Sequence, residues 1–211
     1  MTTPRPSMRR DHPGPRLAAR SRASTDLGYA AATLELPSNG GRARLARIEQ
    51  ARSALQQTLR AGGRPTEDVI DAFILPLVDQ AVPEWQAALD ALLELPELGG
   101  AVGYSGGVIA IGARLAARDP RIAAAGLFAG SFIPRTILDE ARDVTIPLHV
   151  LLQWDDEGND RQRALDLFDA FGSTEKTLQA NLGGHTGVPA FAGEDAARFF
   201  ARHLTMQKAH A

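Results

Sequence analysis

In the second half of the chain, short apolar runs alternate with amphipathic stretches. Ala101–Tyr104, Ile122–Ala129, Leu148–Gln153 and Lys176–Asn181 each have the length and flanking turn residues of a buried strand. Between and after them, Val108–Arg118, Arg161–Phe171 and Glu194–Leu204 carry apolar residues at helical spacing. Strands that alternate with helices must be joined by crossovers. The expectation is an α/β fold with a mostly parallel sheet flanked by helices.

The first half reads differently. Leu27–Pro37 has the pattern of a short buried strand closed by the turn Pro37-Ser38-Asn39-Gly40-Gly41. Ala43–Leu59 is helical, and Gly62 and Gly63 stop it. Asp68–Val82 continues helically, although Pro76 should kink or end it, and Pro83 opens a third helix through Leu93. The expected organisation is an arginine- and proline-rich arm over residues 1–26, poorly ordered, then a domain over 27–205 with a helical segment at 42–95, then a tail at 206–211.

Composition narrows the classes of function. A length of 211 residues suits one medium domain. A net charge of -2 argues against general affinity for nucleic acid or an anionic membrane surface. No apolar run approaches the ~20 residues of a membrane span. The chain has no cysteine, which removes disulfides, thiolate metal sites and a cysteine nucleophile together. That fits a reducing compartment, and a cytoplasmic location is expected.

The motif that carries chemistry is Gly103-Tyr104-Ser105-Gly106-Gly107, between a strand and a helix. This G-x-S-x-G pattern suits a nucleophile elbow, in which the serine sits on a strained turn and small neighbours make room for it. The Gly106 amide, near the start of the following helix, can then face a developing oxyanion. Two other readings compete. Gly100, Gly103 and Gly106 fit a loose dinucleotide-binding loop, but the next strand ends Leu127-Phe128-Ala129 without the acid that would hold a ribose. A phosphate-binding P-loop needs Gly-Lys-Ser/Thr, which does not follow.

A serine nucleophile needs a base to take its proton and an acid to orient that base. Asp155-Asp156-Glu157 ends the Leu148–Gln153 strand, and Gly183-Gly184-His185 follows the next one. Acid then histidine, after successive strands, is the chain order of the fold that carries the elbow. His149 lies inside an apolar strand, His203 in the last helix, and His12 and His210 in the terminal segments, so His185 is the candidate base.

On these residues the chain, from about 27 to 204, resembles the α/β-hydrolases, in particular the dienelactone-hydrolase-related branch. The resemblance implies a three-layer sandwich and a triad of Ser105, Asp156 and His185, with the Gly106 amide in the oxyanion hole. The family's D-x-x-V-P spacing favours Asp156 over Asp155, although Asp160 stands at the proline place. It also implies hydrolysis of a small ester or lactone, with no cofactor and no metal. The family's fold begins with several strands before the element matched by Gly28–Leu36, one of which supplies a second oxyanion amide. The sheet is therefore expected to lack its first strands. A shortened sheet exposes an edge that can pair with a second copy, so a homodimer is allowed. The alternative function is a non-catalytic or weakly active hydrolase-like protein that works through association.

Overall fold

The computed structural model describes residues 15–130 and 132–204. The first half of the expected arm, with His12, and the expected tail, with His210, lie outside the described residues. The chain divides after Ala32 into two units. In the first, helix α1 spans Pro15–Asp26, where composition suggested a loose arm. Its alanines, leucine and arginines are strong helix formers, and that local preference outweighs the basic, acid-poor composition.

The second unit opens with a correction. Residues 33–36 are irregular, as are the residues just before them, and most are exposed; no strand forms where the sequence suggested one. The run is apolar largely through alanines, and no neighbouring strand pairs with it. Helix α2 (Ala46–Arg60) follows, then α3 (Glu67–Leu93). Where the sequence suggested a break at Pro76 and a new helix at Pro83, α3 is one continuous helix through both. Each proline forfeits one intrahelical bond. Seven buried residues, from Ile70 to Leu89, anchor the helix on both sides of those breaks.

The sheet has four parallel strands among the described residues: β1 (Val102–Gly106), β2 (Ile122–Phe128), β3 (Leu148–Gln153) and β4 (Lys176–Asn181), ordered β1-β2-β3-β4. The crossovers contain α4 (Ile109–Arg118), the short α5 (Arg135–Glu140), which sequence reasoning missed, and α6 (Arg161–Ala170). Helix α7 (Ala190–Leu204) follows β4.

Register assigns the two faces. Tyr104 pairs with Ala125, Gly106 with Leu127, and Leu127 with Val150, so these share one face. That face packs on α4, where a Cβ at Gly112 would meet both Leu127 and Tyr104 at 2.6 Å. Trp85 of α3 meets the Tyr104 ring edge-on at 6.1 Å. The opposite face, through Gly103, Ser105, Gly126 and His149, packs on α7: Phe200 lies against both glycines, and His149 stacks on Phe199. The result is three layers, with the main core between the sheet and α3–α6.

Candidate active site

All four strands run the same way, so Gly106, Phe128, Gln153 and Asn181 end at one edge of the sheet. Ligands in open parallel sheets bind at that carboxyl edge. Ser105, Asp156 and His185 all belong to it.

Asp156 and His185 meet. His185 Nδ1 lies 2.7 Å from Asp156 Oδ2. An ionised carboxylate only accepts, so Nδ1 carries the proton and Nε2 is left as the basic nitrogen. Asp156 is buried, its side chain 5 % exposed. Burial pushes its carboxyl upward, but hydrogen bonds from His185, the Asn159 amide and the Gly158 backbone N–H outweigh burial and hold it below the usual carboxylate range. The His185 side chain is 77 % exposed, so most of the ring beyond this bond is open to solvent.

Three aspartates after β3 divide their work. Asp156 holds the imidazole. Asp155 accepts from the backbone N–H groups of Gly183 and Gly184, at 2.9–3.0 Å. Asp160, at the place where the family spacing has proline, is the N-cap of α6 and accepts from the Gln162 N–H at 3.0 Å. Gln153 donates from Nε2 to the Gly184 carbonyl at 2.8 Å. The sequence offered Asp155 only as a rival for the acid that meets His185, and it did not single out Gln153 or Asn159. Their partners lie on another loop or a turn whose shape spacing does not reveal.

The loop that presents His185 needs its glycines. Gly183 has φ +127° and Gly184 φ +63°, both in the left-handed half of backbone space. A Cβ on Gly183 would also lie 2.7 Å from the Gly187 carbonyl oxygen.

Ser105 departs from the expected elbow. It lies within β1, paired with Gly126, and its φ is not positive; Ser38 is the one non-glycine residue with positive φ among the described residues. The strand runs on to Gly106, and α4 starts only at Ile109. Gly103 and Gly106 therefore serve packing in this structure, and Gly107 does not. A Cβ at Gly103 would meet Phe200 and Leu204 of α7, one at Gly106 would meet the Tyr104 ring, and one at Gly107 would meet nothing within 4 Å. Ser105 Oγ lies on the α7 face beside Gly126.

His149 is a core residue, as its place in an apolar strand implied. Its Nδ1 lies 3.0 Å from Thr177 Oγ1, and burial pushes its pKa down. The helical segment reaches the acid loop through Arg64, between α2 and α3, which lies 3.2 Å from Asp160. Both residues line an open cavity of about 560 Å³ beside Asp155 and Asp156. No group of metal-ligating side chains forms among the described residues, and none of their helices is long and apolar enough to cross a membrane.

No family model matches the sequence, and no curated protein matches it. Solved structures do. The PEG-bound complex of a cold-adapted esterase from an Arctic intertidal metagenomic library has a TM-score of 0.59 and 25% identity, over 81% of this chain and 68% of that one. The zinc-bound structure of such an esterase gives 0.58 and 23%, over 74% and 78%. The native structure gives 0.53 and 27%, over 71% of this chain and 63% of that one, so this chain spans less than two thirds of that length. Together with the parallel sheet enclosed by helices, these likenesses show that the chain has an α/β-hydrolase sandwich fold.

Proposed function

We propose that this protein hydrolyses a carboxylic ester or lactone through an acyl-serine intermediate. The observation that carries the proposal is the 2.7 Å bond between His185 Nδ1 and the buried Asp156 carboxylate, at the sheet edge where β1 delivers Ser105. The esterase structures of similar fold support it.

His185 Nε2 takes the Ser105 proton as Oγ attacks the substrate carbonyl, and Asp156 stabilises the imidazolium that forms. The Gly106 amide donates to the oxyanion. His185 then returns the proton to the leaving alkoxide. Water attacks the acyl-enzyme with His185 again as base, which frees the acid and restores Ser105. No step requires a metal or cofactor. For Ser105 to take this role, β1 must release it from extended geometry, with substrate binding supplying the closure. The exposed side chains of Leu182 and Phe191, on either side of the His185 loop in sequence, suit an apolar acyl group. A soluble cytoplasmic protein, alone or as a homodimer, fits this reading.

The test is a panel of p-nitrophenyl esters of increasing chain length, together with a dienelactone for the finer resemblance. It is run on the wild type, Ser105→Ala and His185→Ala. Turnover lost in both variants is expected; equal turnover in all three would sink the triad. A second reading, a hydrolase-like protein without catalysis, is favoured by one observation, the extended backbone of Ser105. A fluorophosphonate probe that labels the wild type but not Ser105→Ala would exclude it.

A further inference from the structure

We propose that Asp155, the neighbour of the triad acid, is a positioning residue that sets the loop carrying His185. The proposal deepens the acyl-serine reading and rests on it for its kinetic part.

The geometry is specific. One Asp155 oxygen accepts from Gly183 N–H at 3.0 Å and Gly184 N–H at 2.9 Å; the other accepts from Gly183 N–H at 3.0 Å. From the same strand end, Gln153 grips the Gly184 carbonyl at 2.8 Å. The two residues before His185 are thus held by both their N–H groups and one carbonyl. Asp156 then takes the ring itself. Consecutive carboxylates from one turn fix the backbone and the side chain of the same histidine loop.

The arrangement explains why a side chain exposed to solvent keeps an ordered role. Gly183 and Gly184 reach positive φ without strain, but glycine loses the most freedom when fixed, so an external hold is what keeps them in one conformation. A carboxylate accepting backbone N–H groups is among the stronger neutral-donor bonds a protein can make. The amides, Gly183 first and Gly184 second, also keep the Asp155 carboxyl below the usual carboxylate range. Without that anchor the Gly-Gly pair is free to swing, and Nδ1 loses its alignment with Asp156. Misplacement on the order of 1 Å costs about 10²-fold in rate.

The experiment compares wild type, Asp155→Ala and Asp155→Asn. The asparagine keeps one acceptor for both N–H groups but turns an amide donor toward Gly183. Steady-state kinetics on the ester panel is read beside the His185 tautomer, obtained from long-range 1H–15N correlation spectra of the ring. Asp155→Ala is expected to lower kcat by about 10–100-fold with KM little changed. It should also mix the Nδ1–H tautomer with the Nε2–H form. Asp155→Asn should recover part of both. Thermal melts confirm that each variant is folded; if the alanine variant is not, the asparagine variant carries the comparison.

Unchanged kcat, or a fall in kcat with an unchanged tautomer, overturns the proposal. The tautomer needs no turnover. An inactive wild type whose tautomer shifts on Asp155→Ala would refute the acyl-serine reading while upholding the positioning role.

Discussion

Phe200 of α7 lies directly on the backbone of Gly103: a Cβ built there would sit 2.9 Å from its ring and 2.8 Å from Leu204. Gly103→Ala is therefore expected to push α7 off β1 and destabilise the fold by about 1–2 kcal/mol, an overpacking cost. Gly107→Ala has open space and no positive φ, so it should stay within about 0.5 kcal/mol of the parent. Thermal melts of the two variants decide this. Equal losses would restore the view that both glycines serve one strained turn.

Asp156→Asn should separate geometry from charge. The amide is nearly the size of the carboxylate and can keep the Gly158 contact, but its NH2 can face Nδ1. The imidazole then favours the tautomer that presents Nε2–H to the serine. A drop in kcat of about 10⁴-fold is expected, with the melting temperature changed far less. A variant that retains more than a tenth of wild-type turnover would remove Asp156 from the proposed mechanism.

His149 makes stability depend on pH. Burial lowers its folded-state pKa below the ordinary 6.5, against the nearby Asp195 carboxylate and Gln179, which raise it. The unfolded chain therefore binds the proton more readily in the window below 6.5. Stability is complete above that value and declines as pH falls through the window, levelling off below the folded-state pKa. Urea midpoints at about pH 8 and pH 5 should show the wild type losing stability at the lower pH, and His149→Phe losing less. The same loss in both proteins would clear His149.

Arg114 joins three helices from a nearly buried position in α4. It reaches Asp79 of α3 at 2.6 Å and Glu140 of α5 at 2.7 Å. Arg114→Met strands Glu140 with only the exposed Arg118, at 2.6 Å. Removing one partner of a fully buried pair costs about 3–5 kcal/mol; with Asp79 exposed, a loss of about 1–3 kcal/mol is expected. The double variant Arg114→Met/Glu140→Leu should recover part of it. A double variant no more stable than the single one would show that packing, not the unpaired carboxylate, sets the cost.

How far the sequence reveals this molecule depends on which force decides each part. β3 and β4 have the limits read from the sequence, because turn residues bound both runs. Leu27–Pro37 has the same local signal without a partner strand, and pairing is what makes a strand. Pro76 obeys a local rule that burial along α3 overrides. The site divides in the same way. Order and spacing single out Ser105 and His185 as candidates. They do not report backbone dihedrals, so the extended conformation of Ser105 was not legible. Asp155 and Asp156 are chemically identical neighbours. Which one meets the imidazole depends on how the turn after β3 directs each side chain, and that turn is closed by Gly158 and Asn159 folding back on Asp156.

The sheet's spatial order repeats its chain order. Val102 pairs with Ile122, Ala125 with Leu148, and Leu148 with Lys176, so every strand docks on the one made just before it. Such a sheet can grow vectorially, as a chain leaves the ribosome, without waiting for a distant segment. Its last strand also carries the histidine loop. Asp155 and Asp156 are in place before their partners in that loop arrive, so the Asp156–His185 pair closes late in assembly. A nascent chain stalled short of β4 would hold most of a folded sheet and no Asp156–His185 pair.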